Sequence, residues 1–199
     1  MTYPTYETMT REKWLRTIAH DHANPSRALA FREMWRLLDR DKTLELTELG
    51  FCSAWDFQCQ FRAWHDVGLI AYTGYDTCGQ FVKYARAEWP GYLFCHGSAQ
   101  DMGHCDISYA RHVFMTMEPE LVESQLLALL SRTRVLSIIT WHYPPQYGSQ
   151  YYKRHQEGER DVWTNRYERA QIEALYDMVG FDVRRVSAGG ETIYVARRN

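Results

Sequence analysis

A turn, a carboxylate and a histidine carry the first chemical signals in this chain. Leu46-Thr47-Glu48-Leu49-Gly50-Phe51-Cys52-Ser53-Ala54-Trp55 reads as a strand that enters a tight turn and then a helix. A second apolar run, Leu69 to Tyr75, stops on Asp76. Small residues in such a turn let backbone approach a ligand at the crest of one strand. A carboxylate at the tip of the next accepts hydrogen bonds from a ribose diol. Gly50 is the only glycine of the turn, and Cys52 and Ala54 stand where further glycines would be. Cys52 lies at a helix N-terminus, where a thiol can become more acidic, but packing is its expected role.

His142 leaves a long apolar run between Trp141 and Tyr143-Pro144-Pro145. A neutral imidazole at a strand's carboxyl end can take a proton from a hydroxyl or an amine. A hydrogen-bonded loop histidine is the alternative. The stretch after it is rich in tyrosine: Tyr143, Tyr147, Tyr151 and Tyr152 stand near Lys153, Arg154 and His155. Such a segment suits a flat or anionic small molecule, and equally a protein interface. Two soft pairs, Cys95-His96 and His104-Cys105, invite a zinc reading. Adjacent residues on an extended segment face opposite ways, so no metal site is expected there. His20-Asp21-His22 reads as a polar helix end.

The elements that must position these groups follow from the hydrophobic pattern. Residues 1–41 precede the first strand and read as helical, either packing on a sheet or closing over a site as a lid. Thr10 is placed to cap one helix and Ser26 a second, whose apolar face is Leu29, Phe31, Met34, Trp35, Leu37 and Leu38. Strands are expected at 43–49, 69–75, 92–96, 107–109 and 135–141, and helices at 55–65, after Asp76 or Thr77 as cap, and at 119–130. Residues 144–161 read as a polar loop without regular structure, of the kind that is usually functional or mobile. Asn165 is placed to cap a helix through Tyr176. Strands at 183–186 and 192–197 flank an Ala188-Gly189-Gly190 hairpin turn. This order predicts an α/β fold: a doubly wound, mostly parallel sheet with an antiparallel C-terminal strand and helices on both faces.

The 199 residues suit one core, with 45% hydrophobic and 24% charged residues. A net charge of −2 disfavours a nucleic-acid partner. No run is long and apolar enough to cross a bilayer, and no apolar run opens the chain as a signal peptide would. Five cysteines, an odd number without a Cys-x-x-Cys, fit reduced thiols in the cytoplasm.

At this level the chain resembles the class I S-adenosylmethionine-dependent methyltransferases, which have a Rossmann-like sheet. Four stretches carry the resemblance. Residues 46–54 are similar to the acid-x-Gly-x-Gly-x-Gly motif, and Thr73-Gly74-Tyr75-Asp76-Thr77 to the second-strand motif with its ribose-binding acid. Gly97-Ser98-Ala99-Gln100-Asp101-Met102 resembles the Gly-Asp-Ala-x-x-Leu adenine loop. Cys105 to Phe114 resembles the fourth strand, Phe-Asp-x-x-x-x-x-His. The resemblance implies an S-adenosylmethionine-binding domain over residues 42–199, with an insert at about 143–163.

In that family's terms, Glu48 faces the methionine amino group, and the turn of Gly50, Cys52 and Ala54 passes under methionine and ribose. Asp76 holds the ribose hydroxyls beside Thr77, and Ser98 and Ala99 meet the adenine edge. Arg111 and His112 line the crevice near the sulfonium. His112 is the second candidate base, with a structural role as its alternative. Tyr143, Tyr147 and Tyr151 lie where a methyl acceptor would be recognised. Two departures stand out: the glycines are reduced to Gly, Cys and Ala, and Ser98 replaces the adenine-loop carboxylate.

The implied activity is methyl transfer to an O or N atom of a small molecule, and a homodimer is compatible with it. A methyltransferase-like fold retained for binding or assembly, without turnover, is the rival. A nicotinamide-dependent oxidoreductase is disfavoured, because the turn lacks Gly-x-Gly-x-x-Gly and little chain is left for a substrate domain.

Overall fold

The first strand, β1 (Leu44–Leu49), lies in the middle of a seven-stranded sheet. The computed structural model describes residues 25–38, 41–142, 151–157, 160–167, 169–188 and 190–199. In chain order, α1 is Pro25–Trp35, and β1 is followed by a π-helical turn, Phe57–Phe61, that runs into α2, Arg62–Asp66. Next come β2 (Ile70–Asp76), α3 (Gly79–Glu88), β3 (Leu93–His96), β4 (Cys105–Arg111), a short 3-10 turn (Phe114–Thr116), α4 (Pro119–Arg132) and β5 (Thr133–His142). The chain closes with β6 (Tyr151–Glu157), β7 (Arg160–Arg166), α5 (Arg169–Met178), β8 (Phe181–Ala188) and β9 (Glu191–Arg198).

The strand order is β3-β2-β1-β4-β5-β9-β8. The pairs from β3 through β5 are parallel, and β9 runs antiparallel to both β5 and β8. The mixed, doubly wound sheet is thus present, and the antiparallel strand is the last one. From β1 the chain winds outward to β3, then returns to β4 on the other side of β1. That reversal opens a crevice at the carboxyl ends of β1 and β4.

Strand alternation sorts the side chains. Leu46, Ile107, Leu136, Ile138, Ile193 and Val195 face one core, which also holds Met34, Phe57, Phe61 and Tyr72. Leu49, Ala110, Ile139, Trp141, Tyr194 and Ala196 face the other, beneath α4 and α5. On the first face the aromatic rings interlock: Phe61 meets Tyr72 at 5.8 Å and Tyr109 at 5.5 Å between centroids, and Phe31 of α1 meets Phe61 at 5.3 Å.

Helix α1 packs on this face, with Ala30 and Met34 fully buried. It is fastened by charge as well. Buried Glu33 pairs with Arg36 at 2.7 Å, Arg184 at 3.0 Å and Arg197 at 3.8 Å.

Several local expectations need correction. Residues 144–161, read as an irregular loop, include most of the two-stranded hairpin β6–β7, in which Tyr151 pairs with Arg166 and Glu157 with Arg160. Charged and polar residues hid its alternation. Asn165 belongs to β7, and the following helix starts at Arg169. Ser26 lies inside α1, and its hydroxyl donates to Glu191 across the fold instead of capping a helix. Helix α1 ends at Trp35, which is 56% exposed, so Leu37 and Leu38 pack from the segment that follows. Strand β4 is longer at both ends than expected, because parallel pairing to β1 and β5 carries it through Cys105 and Arg111.

Candidate functional site

The turn after β1 holds three residues in the left-handed region, and only one of them is a glycine. Gly50, Cys52 and Ala54 all have positive φ, at 69°, 48° and 54°. For residues with a Cβ this left-handed conformation costs energy, so surrounding contacts must hold it. Asp76 supplies one of them and links it to the next helix. Its Oδ2 accepts the Cys52 amide at 2.8 Å, and its Oδ1 accepts the Cys78 amide at 2.8 Å. The carboxylate therefore ties the turn to the first residues of α3. The Gly50 amide donates to Tyr75 O at 2.7 Å, and the Gly97 amide to Asp76 O at 3.0 Å, so the loop after β3 joins the same edge.

In that loop Asp101 Oδ2 accepts both the Ser98 amide, at 2.8 Å, and the Ser98 hydroxyl, at 2.9 Å. These donors hold the Asp101 carboxyl below the usual range. A carboxylate is thus present beside Ser98. Ala99 is buried, and its amide donates to Gln125 Oε1 at 3.0 Å. Thr77 is half-buried, and its carbonyl is 2.9 Å from His96 Nε2.

Along the carboxyl edge of the first sheet face the apolar pattern turns polar. The strand periodicity that buries Leu46, Ile107, Ile138 and Ile193 brings Glu48, Tyr109, Arg111, Thr140 and Glu191 to the same face. Glu48 is buried and accepts the Tyr72 hydroxyl at 2.6 Å. Burial, and then the nearby Asp56 carboxylate, push the Glu48 carboxyl well above its ordinary range. Burial and Glu48 likewise raise the Tyr72 phenol. Arg27 of α1 forms a buried ion pair with Asp56 and lies 5.5 Å from the Trp55 ring centre. Tyr109 Oη, Thr140 Oγ1 and Trp55 Nε1 are buried with no hydrogen-bond partner among the described residues. Such groups suit a polar ligand better than a closed core.

The other end of this row is organised by Glu191, the first residue of β9 and the Cα partner of His142. Its carboxylate meets His112 Nε2 at 3.1 Å, Arg111 Nη2 at 3.5 Å and the Ser26 hydroxyl. Burial raises its pKa, but His112, Ser26 and Arg111 outweigh it and bring the group down to about 2. His112 has a φ of 58°, and its amide donates to Thr140 O at 3.1 Å.

The fold therefore gathers most of the expected site residues at one edge: Glu48, Gly50, Cys52, Ala54, Asp76, Thr77, Ser98, Ala99, Arg111 and His112. His142 ends β5 opposite Glu191. Tyr151 opens β6, away from the main sheet's ladder, and Tyr143 and Tyr147 lie outside the described residues. Reading the sequence missed Arg27, Asp56, Tyr72, Tyr109 and Glu191. Arg27 and Asp56 sit at unremarkable helix-flank positions. Glu191 follows a hairpin turn, and only strand pairing brings it to the crevice. Among the described residues no group of three His, Cys, Asp or Glu side chains is placed to hold a metal ion, and no helix is long and apolar enough to cross a membrane.

No family model matches the chain, and no curated protein matches it in sequence. Solved structures do match in shape. DesVI of Streptomyces venezuelae superposes with a TM-score of 0.67 at 12% identity, covering 96% of this chain and 99% of that one. Magnesium protoporphyrin IX methyltransferase (ChlM) of Synechocystis PCC 6803, with bound S-adenosylhomocysteine, gives 0.67 at 14% identity, covering 98% and 97%. CalS10, an amino pentose methyltransferase of Micromonospora echinaspora with bound S-adenosylmethionine, gives 0.65 at 12% identity, covering 96% and 98%. The fold is that of the class I S-adenosylmethionine-dependent methyltransferases.

Proposed function

We propose that this protein is an S-adenosylmethionine-dependent methyltransferase acting on an O or N atom of a small molecule. The observation that carries the proposal is the turn after β1. Three left-handed residues sit at the glycine positions of the motif, two of them at an energetic cost, and the carboxylate at the tip of β2 holds the amide of one, Cys52. Residues with a Cβ held in this region concentrate at active sites and ligand clamps.

The residues present fit the group. Asp76 offers carboxylate oxygens to the ribose hydroxyls, with Thr77 beside it. Ser98, Ala99 and the Asp101 carboxylate meet the adenine, and Glu48 lies at the methionine end. The buried hydroxyl of Tyr109 adds a polar atom in want of a partner. When bound, the group supplies an electrophilic methyl on a positively charged sulfur. The chain's own task is then to orient the acceptor, exclude water and hold the proton that the acceptor releases. His112 and His142 are the candidates for that proton, and the segment bearing Tyr143, Tyr147 and Tyr151 is the candidate for acceptor recognition.

Structural relatives support this reading through their activities. They include an amino pentose methyltransferase and the glycopeptide N-methyltransferase MtfA, which has a TM-score of 0.63 at 7% identity. A second reading, a binding or assembly protein without turnover, draws on Asp76, both of whose oxygens already accept backbone amides. Calorimetric titration with S-adenosylmethionine and S-adenosylhomocysteine, with NAD(H) as control, separates the possibilities. Micromolar binding of both adenosyl ligands and not of NAD(H) is expected. Absence of binding would leave the non-catalytic reading.

A further inference from the structure

We propose that Glu191 is a positioning residue that fixes the tautomer of His112 and makes Nδ1 of that ring the base of the reaction. The inference rests on the methyl-transfer reading and adds to it a residue and an atom. Glu191 is buried where β9 meets β5, and three elements converge on it: Ser26 from α1, Arg111 from the end of β4, and His112 just beyond that strand. One oxygen, Oε1, faces both Arg111 and His112, and the other takes the Ser26 hydroxyl.

Nε2 of His112 lies 3.1 Å from the Glu191 carboxylate without hydrogen-bond geometry in this structure. An ionised carboxylate has only acceptor sites, so the contact can close only with the hydrogen on that ring nitrogen. The basic lone pair of the neutral ring is then on Nδ1. The backbone at His112 is in the left-handed region, which few residues other than glycine occupy, although histidine does so more readily than most. Outliers of this kind concentrate where a side chain must be aimed. The imidazole is about a third exposed, with 31% of its side-chain surface accessible. Catalytic hydrogen bonds in ligand-free enzymes commonly tighten only with substrate in place.

In the transfer the acceptor's O or N lone pair forms the new bond to carbon, and the C–S pair returns to sulfur. The acceptor's proton passes to His112 Nδ1. The imidazolium so formed faces Glu191, which stabilises it as the carboxylate does in a nucleophile–base–orienter arrangement. His142, the Cα partner of Glu191, is not needed for this step.

The test uses the full chain labelled with nitrogen-15 in histidine. Two-bond proton–nitrogen correlation spectra identify the His112 tautomer, with Glu191→Gln and His112→Gln as partners for assignment and comparison. The parent protein is expected to show His112 protonated at Nε2. With an identified acceptor, Glu191→Gln is expected to lose on the order of 10²-fold in kcat. Its KM for S-adenosylmethionine and its affinity for S-adenosylhomocysteine should stay within about twofold, since the loss falls on the transition state alone. His112→Gln should lose at least as much, and the double variant should be no worse than His112→Gln. A parent His112 protonated at Nδ1, or a Glu191→Gln enzyme with unchanged kcat, overturns the inference while normal S-adenosylhomocysteine binding leaves the methyl-transfer reading standing. A parent protein that binds neither adenosyl ligand overturns both.

Discussion

Asp76 and Cys52 stand 24 residues apart and are joined by one hydrogen bond, from the Cys52 amide to Asp76 Oδ2 at 2.8 Å. Through it, the tip of β2 sets the shape of the turn after β1. The same carboxylate holds the Cys78 amide at the start of α3. Asp76→Ala leaves both amides without their acceptor, and hydrogen bonds to charged groups contribute about 1.5–3 kcal/mol each. The variant should lose about 3 kcal/mol of stability and bind S-adenosylhomocysteine at least about tenfold more weakly. Denaturant melts and calorimetry read the two effects separately. Tight binding by a folded Asp76→Ala protein would remove Asp76 from the cofactor site.

The three left-handed residues of the turn should answer differently to substitution. Cys52→Gly and Ala54→Gly each relieve a conformation that costs about 1–2 kcal/mol with a Cβ present, against about 0.5–1 kcal/mol of added chain entropy in the unfolded state. Each should be neutral or up to about 1 kcal/mol more stable. Gly50→Ala gains a strained φ, and its new Cβ runs into the Val113 side chain. It should lose about 2 kcal/mol or more. Urea midpoints of the three variants compare them directly.

Glu33 fastens α1 to β8 and β9. It is buried, while Arg36, Arg184 and Arg197 are about half exposed. Solvent screening discounts these pairs, and Glu33→Ala should cost about 2 kcal/mol, or roughly 4–8 °C in Tm. Because Ser26 and Arg27 reach the site from the same helix, affinity for S-adenosylhomocysteine should fall as well.

Two buried carboxylates should give opposite pH dependences. Glu191 is held down to about 2 from an ordinary value of 4.5. The stability it contributes is present above 4.5 and is lost as pH falls towards 2. In Glu191→Gln that part of the acid limb should be absent. Glu48 is raised, so the folded state holds its proton more tightly than the unfolded state does. Its contribution falls as pH rises from 4.5 through the raised value. Glu48→Gln keeps an acceptor for the Tyr72 hydroxyl, and the variant should gain Tm over the parent at about pH 8 and not at about pH 4. Thermal melts across roughly pH 3–9 would show both slopes.

The edge hairpin shows where local reading stops. In β6 and β7 the sequence is tyrosine-rich and charged, with no apolar alternation, so nothing local distinguished strand from loop. Strand β5 was legible because a strand buried on both faces reads as a near-continuous apolar run, and Leu136 to Trp141 are all buried. The glycine motif was legible only as a set of positions. Cys52 and Ala54 look like departures in the sequence, yet both adopt the positive φ that suits glycine.

By itself the sequence determined the alternation of strands and helices, the doubly wound class, and the positions of the first turn, Asp76 and the loop at Ser98. These are properties of local periodicity and short-range spacing. Only the tertiary structure decided that Glu191 meets His112 and that Arg27 pairs with Asp56. Glu191 and His112 are 79 residues apart (191 − 112) and touch because β9 inserts antiparallel between β5 and β8. That insertion is a choice of register and partner made by the folded sheet as a whole, and no local stretch of chain encodes it.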